Sequence, residues 1–220
     1  MKLRWKIAQF FELLWWRHYL ATKHKTEYLA WKRQYWHHLL QKSGILITPE
    51  SKVLDAGCGP AGIFTILHAQ TVDAVDPLLD AYEQRLEHFR KKDFPGVTFY
   101  TQPLETFVPK APYDVVFCLN ALNHVADLSL CLRQLHTLTV QGGTLALSID
   151  AHNFSLLRRI FRSIPADILH PHQYDLPGYR QMLEAHGFVA ERNILLDKGL
   201  IFNYYLIVFS KPHTQGQVSP

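Results

Sequence analysis

The chain has 220 residues, of which 48% are hydrophobic and 19% charged, so it can bury one core and is not a disordered chain. No apolar run approaches the ~20 residues of a membrane span. The three cysteines have no paired spacing, which argues against a disulfide framework or a cysteine zinc motif and favours a reducing, cytoplasmic location. The net charge of +4 comes from residues 1–42, with nine Lys or Arg against two Glu, and the slightly acidic remainder argues against a nucleic-acid substrate.

The N-terminal 44 residues are predicted to form two helices rich in Trp and Tyr. Residues at helical spacing mark the first helix: Ile7, Phe10, Phe11, Leu14 and His18. The second helix, from about residue 26 to residue 42, carries an aromatic stripe: Tyr28, Trp31, Tyr35 and Trp36. Such a stripe is typical of core or lid packing, and we also expect Tyr28, Trp31 and Tyr35 to border a substrate pocket.

A glycine-rich turn follows the first apolar strand, which is predicted at residues 52–56. Gly57, Gly59 and Gly62 have the spacing G-x-G-x-x-G, and an apolar segment predicted to be helical to about residue 70 comes after them. This order of strand, glycine turn and helix predicts a loop that binds a nucleotide or nucleoside.

Two carboxylates sharpen this prediction. Asp76 ends the second apolar strand 19 positions after Gly57, the spacing expected of an acid that hydrogen-bonds ribose hydroxyls. Asp55 lies two positions before Gly57, where its negative charge is expected to repel a pyrophosphate and to attract a cationic nucleoside.

The rest of the chain alternates helices and strands. Helices are predicted at residues 80–91, 128–138 and 177–186, parallel strands at 97–100, 114–119 and 144–149, and an antiparallel closing pair at 188–196 and 202–210. Because ligands of open α/β sheets bind at the carboxyl ends of the strands, Asn120, Asn123 and His124 are expected in the site. An insertion at residues 151–176 brings further polar side chains, among them His152, His172 and Tyr174.

Four motifs, in this order, resemble those of the class I S-adenosylmethionine-dependent methyltransferases: Asp-Ala-Gly-Cys-Gly-Pro-Ala-Gly at 55–62, Val-Asp-Ala-Val-Asp-Pro at 72–77, Tyr-Asp-Val-Val-Phe-Cys at 113–118 and Gly-Gly-Thr-Leu at 142–145. The resemblance implies a Rossmann-like α/β fold with a seven-stranded, mostly parallel sheet whose last strand is antiparallel. It also implies a helical lid at 1–44, a cofactor-binding domain at 45–212 in which the insertion covers the substrate, and a tail at 213–220.

The resemblance further implies S-adenosylmethionine as cofactor and S-adenosylhomocysteine as product. The cofactor-binding residues that it implies are Asp55, Gly57, Cys58, Gly59, Asp76, Pro77, Leu104 and Asn120. The chain departs from the family after the third strand, where Pro103 stands in place of the acid that reads adenine. A flavin or nicotinamide site and ordinary glycine turns are the alternatives, and the position of Asp55 disfavours the first.

Chemistry at the site depends on the methyl acceptor, an O, N or S atom of a small molecule. His124 is predicted to take a proton from it, and Asn120 and His172 to orient it; a helix-capping role for His124 is an equal alternative. His170 and His172 form a poor metal motif, so no metal is expected. Two other functions remain open: methylation of a quinone or lipid at a membrane surface, suggested by Trp15, Trp16 and the basic arm, and a non-catalytic cofactor-binding subunit.

Overall fold

The computed structural model describes residues 3–152, 174–199 and 202–213. Its helices are α1 (Leu3–Leu20), α2 (Lys25–Ser43), α3 (Leu79–Arg85), α4 (Leu128–Leu138) and α5 (Leu176–Glu184). Its strands are β1 (Lys52–Ala56), β2 (Thr71–Val75), β3 (Val97–Tyr100), β4 (Tyr113–Leu119), β5 (Thr139–His152), β6 (Val189–Lys198) and β7 (Phe202–Ser210).

The strands form one seven-stranded sheet in the order β3-β2-β1-β4-β5-β7-β6. All neighbouring pairs are parallel except those that involve β7, which runs antiparallel to β5 and to β6. This confirms the predicted Rossmann-like fold. The strand order reverses between β1 and β4, and ligands of such sheets bind at the carboxyl ends beside that reversal.

Each face of the sheet has its own hydrophobic core. One core joins β1 and β2 to α1, α2 and α3, and the other joins β4 and β5 to α4 and α5. Helix α2 is held firmly to the first face, because Leu39 is 1% exposed and Trp36 Nε1 donates a hydrogen bond to the Ala61 carbonyl at 3.0 Å. The predicted boundary at residue 44 therefore separates two parts that share one core.

Helix α1 turns its apolar stripe outward. The five large apolar side chains of this stripe are between 37% and 53% exposed: Ile7, Phe10, Phe11, Leu14 and Trp15. The buried side chains of α1 are instead Trp5, Leu13 and Leu20. Periodicity correctly predicted the helix, but it did not identify the face that packs on the protein.

Two predicted helices differ from the observed structure. The segment after the glycines is not a helix to residue 70 but two short 3-10 turns, Gly59–Ala61 and Ile63–Ile66, because the extended backbone of Gly62 separates them. Helix α3 ends at Arg85 rather than at residue 91, and the chain then places Phe89 in an aromatic cluster 5.4 Å from the ring of Phe99. Burying the Phe89 ring therefore stabilises the fold more than continuing the helix would.

Candidate active site

A cavity of about 580 Å³ lies at the carboxyl ends of β1, β2 and β4, between the sheet and the helices α1 and α2. Ten of the residues predicted from sequence line it: Gly57, Cys58, Gly59, Asp76, Pro77, Leu104, Asn120, His124, Trp31 and Tyr35. Its volume suits a drug-sized ligand. The cavity therefore lies at the edge of the sheet where the sequence predicted the site.

The glycine loop packs tightly against its neighbours. Gly57 has φ of 72°, and its N–H donates to the Val75 carbonyl at 2.7 Å. A Cβ built on Gly57 would lie 2.3 Å from Cβ of Ala121. Side chains larger than hydrogen are therefore excluded both by the backbone conformation and by the space.

Asp55 lies beneath the loop and does not line the cavity. Its side chain is 1% exposed, and Oδ2 accepts a hydrogen bond from the Phe64 N–H at 3.0 Å. A Cβ on Gly62 would lie 2.3 Å from this oxygen, so Gly62 makes room for the carboxylate rather than for close helix packing. The predicted direct contact of Asp55 with a cofactor has no support in this arrangement, and the residue instead fixes the turn.

The buried Asp55 predicts how stability depends on pH. Burial raises its pKa from 3.8 to about 7, against the hydrogen bond from Phe64, which lowers the pKa. Between these two values the folded chain binds a proton that the unfolded chain does not, so the free energy of unfolding should fall as pH rises from 4 to 7. Thermal unfolding of the wild type should show this decline, and Asp55→Asn should make it shallower without removing it, because burial also raises the pKa of Asp76 to about 7; identical pH profiles would contradict the prediction.

Asp76 borders the cavity with both oxygens held by backbone. Oδ1 accepts from the Leu78 N–H at 2.8 Å, and Oδ2 accepts from the Gly59 N–H at 3.0 Å. A carboxylate has about four acceptor positions, so these bonds leave capacity for two ligand hydroxyls. Burial, and next the nearby charge of Glu12, raises the pKa of Asp76.

The end of β4 supplies the polar residues opposite Asp76. Asn120 has φ of 53°, a left-handed conformation that is uncommon outside glycine, and its side chain is exposed. Asn tolerates this conformation better than most residues, and such outliers concentrate at functional sites. His124 ends the short 3-10 turn Leu122–His124 and lines the same cavity.

Only some of the residues predicted to bind the substrate line the cavity. Trp31 and Tyr35 line the cavity, whereas Tyr28 lines a separate, shallower one and packs edge-on against His88 at 5.6 Å. Asn123 does not line the cavity, and the Tyr174 ring contacts that of Tyr179 at 5.5 Å. For His152 only the backbone, in β5, is described, and His172 lies outside the described residues.

Sequence reasoning missed a polar and aromatic group on the lining. It comes from α1, α2 and β7: Trp5, Gln9, Glu12, Trp16, Lys32, Trp36 and Tyr204. The four from α1 have spacings of four, three and four residues, so they share one helix face. This spacing could have identified the face of α1 that lines the cavity, but the opposite face is more apolar and was therefore the one that the periodicity indicated.

Lys32 brings a cation to the aromatic wall of the cavity. Its Nζ lies 4.1 Å from the ring centroid of Trp36 and 5.0 Å from that of Tyr35, both cation–π distances. Burial lowers the pKa of Lys32 to about 8, and the charge of Asp55 partly offsets this. The ammonium group remains mostly protonated at neutral pH.

After β3, Pro103 borders the cavity at the position where the family resemblance implies an acid. Leu104 begins the 3-10 turn Leu104–Thr106 and is 5% exposed. The carboxylate of Glu105 accepts from the backbone N–H of Ala126 at 2.7 Å, so it fixes the next loop although it also borders the cavity.

The lining suits a nucleoside that carries an amino-acid chain. Asp76 offers acceptors to a ribose, and the apolar surface of Pro77, Pro103 and Leu104 suits a flat base. Gln9 has a buried Nε2 with no hydrogen-bond partner in the described part of the chain, and a ligand acceptor would satisfy it. The residues present therefore fit the cofactor that the sequence implies.

Comparison with known proteins supports this interpretation. A family model described as a methyltransferase domain matches residues 24–193. The ubiquinone biosynthesis O-methyltransferase of Pseudomonas syringae pv. tomato is 35% identical over 109 residues, which are 46% of this chain and 45% of that protein. The trans-aconitate 2-methyltransferase of Methylobacterium radiotolerans is 26% identical over 51% of this chain and 43% of its own. The matches thus span under half the length of these curated relatives.

Solved structures share the fold. The 1,6-didemethyltoxoflavin-N1-methyltransferase of Burkholderia thailandensis, with bound S-adenosylhomocysteine, has a TM-score of 0.57 at 17% identity and covers 93% of this chain and 89% of its own. The N-methyltransferase NodS of Bradyrhizobium japonicum, also with S-adenosylhomocysteine, has a TM-score of 0.61 at 15% identity. The match covers 82% of this chain and 87% of the NodS chain. At these identities the likeness concerns the fold alone.

Proposed function

Since this chain belongs to the class I S-adenosylmethionine-dependent methyltransferase family, we propose that it transfers a methyl group from S-adenosylmethionine to an oxygen atom of a small molecule. The observation that carries the proposal is the single cavity that joins Asp76 and the glycine loop to Asn120 and His124. The proposed cofactor residues and the proposed proton acceptor thereby border the same cavity.

In this proposal the cofactor lies along the glycine loop with its ribose at Asp76. The Gly57–Gly59 backbone borders the methionyl part, and Pro77 and Leu104 border the base. Burial raises the pKa of the Cys58 thiol, so this side chain stays protonated and serves as a wall rather than as a nucleophile.

When bound, S-adenosylmethionine supplies a methyl group already activated by its sulfonium. The protein has to align the acceptor and exclude water. The aromatic side chains Trp16, Trp31 and Tyr35 border the cavity and suit this exclusion. His124 is the proposed acceptor of the proton that a hydroxyl loses on methylation, and Asn120 is proposed to orient that hydroxyl.

The charge of the cavity favours oxygen over an amine. The ammonium group of Lys32 already lies over the rings of Tyr35 and Trp36. These rings could otherwise attract a cationic amine, but the positive charge of Lys32 would repel it. An ionised hydroxyl would be attracted. One relative is named an O-methyltransferase of ubiquinone biosynthesis, which is consistent with an oxygen acceptor, and another is named a trans-aconitate 2-methyltransferase.

Paired acceptors test this function. Methyl transfer from radiolabelled S-adenosylmethionine should be detectable with hydroxylated aromatic acids and absent with the corresponding anilines, because only the former carry an acidic hydroxyl. Turnover confined to anilines would contradict the oxygen acceptor. Cofactor binding without turnover on any acceptor would instead favour a non-catalytic subunit.

A second candidate function, methylation of a lipid-soluble acceptor at a membrane surface, is favoured by the outward face of α1. Phe10 and Phe11 are 53% and 46% exposed, and Lys6 and Arg17 are exposed on the same helix. Aromatic and basic side chains on one surface helix suit an anionic bilayer interface. Among the described residues no helix is both long and apolar enough to span a bilayer.

Vesicle binding tests the membrane contact. Phe10→Glu or Phe11→Glu should each weaken sedimentation with phosphatidylglycerol-containing vesicles by roughly tenfold or more, because burial of a large apolar side chain contributes about 1.5–3 kcal/mol. Leu46→Glu is the matched control, since Leu46 is 89% exposed but lies outside α1. Equal binding by all variants would exclude this role for α1.

A further inference from the structure

Helix α1 directs a carboxylate into the cavity. Glu12 lines the cavity, and its Oε1 accepts a hydrogen bond from the Tyr82 hydroxyl at 3.2 Å. The Trp16 side chain, one turn further along α1, lies near enough to lower the pKa of Glu12, against the larger effect of burial. Burying a charged side chain costs free energy unless the charge is paired, and the recorded hydrogen-bond partner of Glu12 is a hydroxyl rather than a cation.

Contacts along α1 locate Glu12 at the ribose end of the cavity. Trp16 lies above the glycine loop, because a Cβ on Gly59 would be 3.6 Å from its Cζ2. Tyr82, the partner of Glu12, lies on α3, which begins three residues after Asp76. The inner face of α1 therefore passes from the glycine loop at Trp16 to the neighbourhood of Asp76 at Glu12.

Gln9 extends the same face by one further turn. It lines the cavity, and its Nε2 is buried with no hydrogen-bond partner among the described residues. A buried donor without an acceptor costs free energy, and a ligand acceptor would remove that cost. Two successive polar positions on α1 thus face the cavity.

We propose that Glu12 is a second ribose-binding carboxylate, which shares the ribose hydroxyls with Asp76 and fixes α1 over the bound nucleoside. The inference rests on the proposed function, because it takes the ribose to lie at Asp76. In this arrangement the N-terminal helix α1 binds the cofactor directly and is not merely a hydrophobic cover.

The charges that line the cavity agree with this role. Burial raises the pKa of Glu12, and the charge of Glu12 raises the pKa of Asp76. Two like charges in one desolvated site oppose each other. Ribose hydroxyls that donate to both carboxylates would relieve this repulsion, so cofactor binding would draw Glu12 and Asp76 together and stabilise the covered state.

Calorimetry with S-adenosylhomocysteine and its 2′-deoxy and 3′-deoxy analogues tests the proposal. Glu12→Gln should weaken binding of the parent ligand about 10- to 100-fold, the range for a hydrogen bond to a charged group. One of the two deletions should weaken binding to the wild type by a similar factor and have little effect on Glu12→Gln. Equal losses in wild type and variant for both analogues would overturn the proposal.

Three controls separate the causes of failure. Glu27→Gln makes the same change at an exposed residue of α2 and should bind like the wild type. Asp76→Ala should lose affinity; if it does while Glu12→Gln responds to both analogues as the wild type does, the Glu12 role is wrong but the cofactor assignment stands. A wild type that does not bind S-adenosylhomocysteine would refute the proposed function itself. If Glu12→Gln folds poorly, Tyr82→Phe replaces it in the test. This variant removes the hydroxyl that holds Glu12 and should weaken S-adenosylhomocysteine binding by a smaller factor than loss of the carboxylate would.

Discussion

Replacing His124 with Gln is expected to lower kcat by roughly 10²- to 10⁴-fold, the range for loss of a general base. His124 borders the cavity together with Asn120 at the end of β4, and a hydroxyl acceptor has to lose a proton on methylation. Gln keeps much of the size and polarity but cannot accept a proton. Cofactor affinity should change little, since the proposed cofactor contacts lie at Asp76 and the glycine loop.

The pH dependence distinguishes catalysis from a structural role for His124. The wild-type rate should fall as acidification protonates the imidazole, and His124→Gln should lose that dependence. His38→Gln, at an exposed position of α2, is the matched control. If the His124 variant melted at a lower temperature but turned over normally per folded molecule, the residue would be a structural cap rather than a base.

The second large effect is expected at Gly57. Gly57→Ala should lower the free energy of unfolding by about 2–5 kcal/mol, because the left-handed region costs an L-residue ~1–2 kcal/mol and overpacking adds ~1–3 kcal/mol. The new Cβ would meet Cβ of Ala121 at 2.3 Å. Since Gly57 and Ala121 both border the cavity, cofactor binding should weaken as well.

Gly96→Ala provides the comparison for Gly57. A Cβ at Gly96 would have no atom within 4 Å, so its stability should change by only ~0.5 kcal/mol or less. Chemical denaturation of both variants and calorimetry with S-adenosylhomocysteine would measure the two effects. Equal stability of the two variants would show that the loop relaxes without cost.

The glycine loop and the acid at Asp76 were predictable because their geometry is local to two neighbouring strands. Val53 to Ala56 pair in parallel with Val72 to Val75, so residues that follow these strands necessarily lie side by side. The same reasoning brought Asn120 and His124 to the site. Strand periodicity and turn chemistry suffice where consecutive elements meet.

Asp55 illustrates where such reasoning failed. Its position beside the loop suggested a contact with the cofactor, but the side chain turns under the loop to the Phe64 N–H. Successive side chains of a strand point to opposite faces of the sheet, and sequence spacing alone does not identify the hydrogen-bond partner that lies on each face. Here the backbone of the 3-10 turn was that partner.

The amino-acid sequence by itself indicated the succession of strands and helices, the glycine loop and the spacing of Asp76, because these follow from short-range pattern, whereas the seven-stranded sheet was expected from the family resemblance. Only the tertiary structure decided which helical residues complete the site. Glu12 of α1, for example, meets Tyr82 of α3 across 70 positions. Such contacts depend on how whole elements pack, and for α1 the apolar periodicity marked the face that packing leaves exposed.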